Sequence, residues 1–174
     1  MTSYVAFLGG INVGGHRVTM DRLRAEFEAL GFSAVSTFIA SGNVLFETTG
    51  SARTLEPPIE ARLADALGYA VPTFVRRASA VRAAVALAPF GAITPPFTHY
   101  VVFLRAAPSE EARRATEALS NDTDQFEVHG TELHWRARNG LTGSSVKANV
   151  LTKALGQTST TRNVKSLTKL VDRL

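Results

Sequence analysis

Short apolar runs and helical repeats follow one another along this chain in a fixed order, and that order restricts the fold more than any other feature. "YVAFLG" (4–9) is short, apolar and closed by glycine, the pattern of a buried strand. Residues 19–31 then place Met20, Leu23, Phe27 and Leu30 on one helical face, with Gly31 as the stop. "SAVSTFIA" (33–40) and "NVLFET" (43–48) read as two strands. Ser41, Gly42 and Asn43 form a tight turn between them, because Gly and Asn tolerate positive φ. Leu55, Ile59, Leu63 and Leu67 define a second helix, whose first turn accommodates Pro57 and Pro58. "VPTFVRR" (71–77) is a fourth strand.

Strand-helix-strand-strand-helix-strand is the split β-α-β order of a ferredoxin-like half, with an antiparallel sheet. A second half begins after residue 78. A short Ala/Val helix (79–88) and a proline-broken linker (90–97) lead to the strand "HYVVFLR" (99–105). A helix over 108–120 and a hairpin over 124–138, turning at His129, Gly130 and Thr131, come next, and helices are expected near 145–155 and 162–173. The expectation is an α+β protein of two ferredoxin-like halves, 1–78 and 79–174, the second ending in C-terminal helices rather than a strand. In this topology the first strand-to-helix loop and the first hairpin turn lie at the same end of the sheet. The loop over 9–17 and the Ser41 to Asn43 turn should therefore be neighbours.

Composition closes off several classes of function. There is no cysteine, so disulfides, thiolate zinc sites and cysteine nucleophiles are excluded. No apolar run approaches the roughly 20 residues needed to span a bilayer, and the first residues lack the basic head and apolar stretch of a signal peptide. A cytoplasmic protein with no membrane partner is the expectation. The net charge of +4 is uneven: residues 145–174 hold Lys147, Lys153, Arg162, Lys165, Lys169 and Arg173 against one acid, Asp172.

Three polar stretches are candidates for function. The loop carries Gly9, Gly10, Gly14 and Gly15 just ahead of a helix N-terminus, and both bare amides and helix starts favour anions. Asn12 adds amide donors, and His16 or Arg17 can add charge. The loop is neither a Walker loop, for it lacks the Gly-Lys-Ser/Thr ending, nor a dinucleotide G-x-G-x-x-G. A strained turn linking strand to helix is the alternative. The second stretch is the Ser41, Gly42, Asn43 turn. The third is the last helix, where Arg162, Lys165, Lys169 and Arg173 share an arc opposite Val164, Leu167, Leu170, Val171 and Leu174. Thr160 or Thr161 can cap it, which leaves Arg162 in a first turn whose dipole disfavours a cation unless an anion binds there.

The other signals are negative. None of the four histidines has an i,i+4 partner or a carboxylate at ligand spacing, so no metal is expected. No G-x-S-x-G motif or Ser/His/Asp set can be assembled, and no cofactor is implied. Trp135 and Phe126 read as core or sheet-face packing.

"FLGGINVGGHRVTMDRLRAEFEALGF", "VSTFIASGNVLFE" and "TTRNVKSLTKL" together resemble a bacterial family known as domain of unknown function 1697. The family pattern has arginine where this chain has Gly9, and Trp-Asn-Thr where it has Val164, Lys165 and Ser166. The resemblance implies a compact α+β fold and marks Asn12, Gly14, Gly15, Ser41, Gly42, Asn43, Thr160, Arg162 and Asn163 as signature polar positions. It names no reaction. The leading functional expectation is a site for a small anionic ligand, a nucleotide or phosphorylated metabolite, formed by these residues. The alternatives are a non-enzymatic interaction or regulatory module, and weak nucleic-acid binding through the basic C-terminal helix.

Overall fold

The computed structural model describes residues 1–38 and 42–174. The chain is α+β and carries two four-stranded antiparallel sheets. By contact it divides into two units, residues 1–82 with 170–174, and residues 83–169.

The first unit runs β1 (Thr2–Leu8), α1 (Met20–Glu28), β2 (Ser33–Phe38), β3 (Asn43–Thr48), α2 (Ala52–Leu67) and β4 (Thr73–Arg77), with sheet order β2-β3-β1-β4. The apolar run of β1 is explained by its place. It pairs with β3 on one side and β4 on the other, so its backbone is covered at both edges. Tyr4, Ala6 and Leu8 face one way and pack with Leu23 and Phe27 of α1 and Ile59 and Leu63 of α2. Gly68 ends α2 in the left-handed region at φ 80°.

α3 (Ala78–Leu87) follows β4 directly. Next come β5 (Phe97–Leu104), α4 (Glu110–Glu117), β6 (Asp124–His129), β7 (Glu132–Arg138), α5 (Gly140–Gly143), α6 (Ala148–Leu155), β8 (Ser159–Asn163) and α7 (Val164–Val171). The second sheet has the order β6-β7-β5-β8, the same arrangement as the first. Its helix-facing core contains Val102, Leu104, Leu133, Leu151 and Leu155, with Phe126 and Trp135 packed there as expected.

One expectation is corrected. The polar stretch read as the opening of the last helix is an edge strand: Val101 pairs with Arg162 and Phe103 with Thr160. "STTRN" has no apolar alternation to announce a strand; pairing with the apolar β5 makes it one. The second unit thus has its fourth strand and still ends in helices, with α7 beginning at Val164. No described helix is long and apolar enough to cross a membrane.

Edge strands expose unpaired amides, and side chains on or just beyond the helices cover two of these edges. Glu56 and Glu60, one turn apart on α2, accept from the amides of Val75 (2.9 Å) and Thr73 (2.8 Å) on β4. On β6, Glu117 of α4 accepts from Val128 N at 3.0 Å, and Ser120 Oγ accepts from Phe126 N at 3.0 Å.

Asp124, at the start of β6, is fully buried. Its carboxylate accepts from Trp135 Nε1 (2.8 Å) and Ser144 Oγ (2.7 Å) at one oxygen, and from Thr123 Oγ1 (2.9 Å), Ser145 N (3.2 Å) and Ser145 Oγ (2.9 Å) at the other. Burial alone would raise this acid; the donors from Ser144, Trp135, Thr123 and Ser145 outweigh it and hold the carboxyl below its usual range. The group fastens the segment after α5 to the sheet. Asp124→Asn places an amide where Ser145 N must donate, and hydrogen bonds to a charged acceptor are lost. The variant should unfold about 2 kcal/mol more easily in urea, with an unchanged m-value.

Candidate functional site

β1 ends at Leu8, and the chain must turn through the glycine loop to reach α1. Hydrogen bonds at its base and along its length hold this loop. Leu8 N donates to Gly42 O (2.8 Å) and Gly9 N to Pro72 O (2.7 Å) at its base. Tyr69 Oη donates to Ile11 O (2.9 Å), and Val18 N donates to Asn12 Oδ1 (2.9 Å). Ile11, 2% exposed, is the loop's anchor in the core. The Asn12 carbonyl oxygen therefore closes the loop on itself.

The loop and the hairpin turn do meet, as the topology requires. A Cβ at Gly42 would stand 2.6 Å from Ile11 Cγ2 and 3.1 Å from Leu8 Cβ, at a φ of 76°. Only glycine lets Ile11 seat there. Asn43 is buried and its Nδ2 donates to Phe38 O at 3.0 Å. Gly42 and Asn43 thus support the loop from beneath, and Ser41 lies outside the described residues.

Beyond Ile11 the loop faces solvent. Gly14 and Gly15 are exposed, have φ of 66° and 88°, and would meet nothing within 4 Å if given side chains. Consecutive left-handed residues with open space in front leave their amides accessible to an acceptor. His16 stacks on Tyr69, with ring centroids 3.8 Å apart and planes 23° apart. Thr19 caps α1, accepting from Arg22 N at 3.2 Å. Gly15, His16, Arg17, Thr19, Arg22 and Tyr69 line a cleft of about 590 Å³, closed by Ala66 and Leu67.

Two arginines line this cleft in different states. Arg22 is engaged: its Nε meets Glu26 Oε1 at 2.6 Å and its Nη2 donates to Ala66 O at 3.3 Å. Glu26 also takes Arg62 at 2.6 Å. Burial would raise this acid, but hydrogen bonds and charge from Arg62 and Arg22 prevail and lower it. Arg17 is exposed and has no partner among the described residues.

The third polar stretch lies in the second unit. Thr160 and Arg162 face the same way from β8, 7% and 9% exposed, and Arg162 Nη1 donates to Thr160 Oγ1 (2.7 Å) and Thr161 O (3.0 Å). Burial lowers the guanidinium to about 10, so it remains charged at neutral pH. It is not in a helical first turn. Asn163 immediately precedes α7, and its Oδ1 accepts from Lys165 N at 2.9 Å. The exposed basic stripe of α7 and the tail keeps Lys165, Lys169 and Arg173, without Arg162. Arg173 lies over the Phe38 ring, 5.4 Å from its centroid.

Sequence reasoning missed Arg22 and Tyr69 as wall residues of the cleft, since Arg22 lies on α1 and Tyr69 just beyond α2, both outside the glycine loop. Among the described residues no group of three or more His, Asp or Glu converges as a metal site.

A family model described as a protein of unknown function, DUF1697, matches residues 1–134. That range contains the loop and the turn and stops short of the stretch around Arg162. A solved conserved bacterial protein from Streptococcus pneumoniae is similar with a TM-score of 0.76 and 21% identity, over 100% of this chain and 98% of that one. At this identity the likeness speaks for the fold. No curated protein matches the chain.

Gly42→Ala tests the seat beneath the loop. The added methyl must displace Ile11 and adopt an unfavourable φ. A loss of about 1–3 kcal/mol in chemical denaturation is expected, together with faster amide exchange over residues 9–18.

Proposed function

The chain belongs to the DUF1697 family, and for this member we propose that the glycine loop binds a small anionic ligand, a nucleotide or phosphorylated metabolite. The observation that carries this reading is the exposed face of the loop, where Gly15, next to exposed Gly14, Arg17, without a partner among the described residues, and the capped start of α1 border one cleft. Backbone amides and a helix start hold a phosphate by direct donation, and arginine adds a two-pronged charged contact. The cleft volume of about 590 Å³ is ample for a nucleotide-sized guest. Any chemistry at such a site acts through positioning and charge stabilisation.

In this reading Asn12, Gly42 and Asn43 set the loop's shape, and Gly14 and Gly15 contact the anion. Thr160, Arg162 and Asn163 form a second polar cluster, with a buried charge, on the second sheet. The cysteine-free composition supports work in the cytoplasm.

The test is calorimetry and thermal shift with inorganic phosphate, pyrophosphate, ribose 5-phosphate and adenosine phosphates. A saturable rise in Tm is expected for at least one of them, with affinity reduced roughly tenfold or more in Arg17→Ala, the loss of one charge-assisted contact. If none of these compounds binds the unaltered protein, the reading fails. In that case an interaction or regulatory module is favoured, with a purely structural glycine loop.

A further inference from the structure

Three of the chain's four histidines meet on the face of the second sheet opposite the one that α6 packs, although they are far apart in sequence. Register explains it. On β7, His134 stands beside Val101 of β5 and Glu127 of β6, with His99 and His129 one step along the neighbouring strands. His99 Nε2 and His134 Nδ1 are 2.9 Å apart, and the two residues are 7% and 0% exposed. His129 is edge-on to His134, ring centroids 5.5 Å apart, and its Nε2 is 2.6 Å from Glu127 Oε1. Phe90 stands edge-on to His99 at 5.5 Å. His134 Nε2 and Arg136 Nε are buried without a hydrogen-bond partner among the described residues.

The sheet itself brings charged and titratable groups of both signs to this face. Strand β7 contributes Arg136 and Glu132, β6 contributes Glu127 and His129, and β8, across Val101, contributes Arg162. Glu127 is engaged by His129, and Glu132 accepts from Thr131 Oγ1 at 2.8 Å. Neither carboxylate bonds the buried pair. An imidazole-imidazole hydrogen bond needs one ring to donate and the other to accept. Among the described residues a cation on either ring is therefore buried with no counter-charge in contact, and a cation on both sets two N–H groups against each other.

We propose that the His99–His134 pair is an acid-sensitive latch of the second unit. When neutral it ties β5 to β7 through its single shared proton, and acidification opens this face while the first sheet stays formed. The fourth histidine, His16, is exposed in the glycine loop, so the first unit has no counterpart among its described residues.

The direction of the effect follows from where each state takes up protons. Burial lowers His99 below its ordinary value. Burial, with charge on His99 and His129, lowers His134 to about 4. As pH falls through about 6.5 the opened chain binds protons that the closed face refuses. The stabilisation is whole above that point and is lost as pH descends toward the folded values. Each refused proton shifts the opening equilibrium up to about tenfold per pH unit. Asp124 and Glu26 are held low, so they act at lower pH, below the ordinary carboxylate range.

The experiment is amide hydrogen exchange on the full chain at pH 7 and pH 5, corrected for intrinsic rates, for the unaltered protein and for His99→Phe/His134→Phe. The double substitution removes both polar partners while keeping ring bulk. The unaltered protein should lose roughly tenfold or more of its protection at pH 5 in residues 97–104 and 132–138, and not in 2–8 or 43–48, and the double variant should keep its protection. Equal loss in both proteins, or none in the unaltered one, overturns the latch. If the double variant does not fold, NMR titration of the unaltered protein's imidazoles decides. A His134 ring that stays neutral to about pH 4 upholds the proposal, and one that titrates near 6.5 ends it.

Discussion

The seating of Ile11 against the bare backbone of Gly42 is the contact on which the shape of the first unit's glycine loop depends. It carries the glycine loop into the core between the central strand β1 and the hairpin that leads into β3. Because Ile11 is fixed, its carbonyl is available to Tyr69, and the Tyr69 ring is then positioned for His16 to stack upon it. Because Leu8 N and Gly9 N are tied to Gly42 and Pro72, the base of the loop cannot swing. What lies beyond Ile11 is held at both ends and free at its crest. That combination, a fixed frame with an exposed crest, separates a held loop from a merely flexible one.

The two sheets reach the same strand order by different uses of polar groups. In the first unit, carboxylates on α2 close the amides of β4, and the Arg22, Glu26, Arg62 triad joins α1 to α2. In the second, a single buried carboxylate, Asp124, collects donors from the sheet and from the segment beyond α5. The face opposite α6 is polar as well as buried, with His99, His134 and Arg162 set among Val101 and Phe103. Burying such groups is costly unless each finds a partner. Arg162 finds its partners on its own strand, in Thr160 and Thr161, whereas His99 and His134 find each other across adjacent strands, so that pair holds only while β5 and β7 stay in register.

The elements that carry strong local patterns were legible from residue order. β1, α1, α2, α4 and the β6–β7 hairpin lie where apolar spacing and glycine stops place them, and the neighbourhood of loop and turn follows from that topology. β8 was not legible. Thr160 to Asn163 resemble a capped helix start, because a threonine followed by polar residues is locally a good cap. The amide partners offered by β5 outweighed that local preference. Arg162 changed meaning with it, from an exposed first-turn cation to a buried guanidinium bonded to Thr160 and Thr161. The remaining wall of the cleft was hidden for a related reason: Tyr69 is distant from His16 in sequence and reaches it only because α2 ends beside the loop.

The sequence by itself determined the order of strands and helices as far as the β6–β7 hairpin, the absence of any cysteine chemistry and the positions where glycine must bend the chain, since these depend on periodicity and on single-residue stereochemistry. Tertiary structure alone decided which polar residues meet. His99 and His134, or Asp124 and Ser144, become neighbours through strand register and loop closure. Those depend on the free energy of the whole packed sheet, to which no single stretch holds the key.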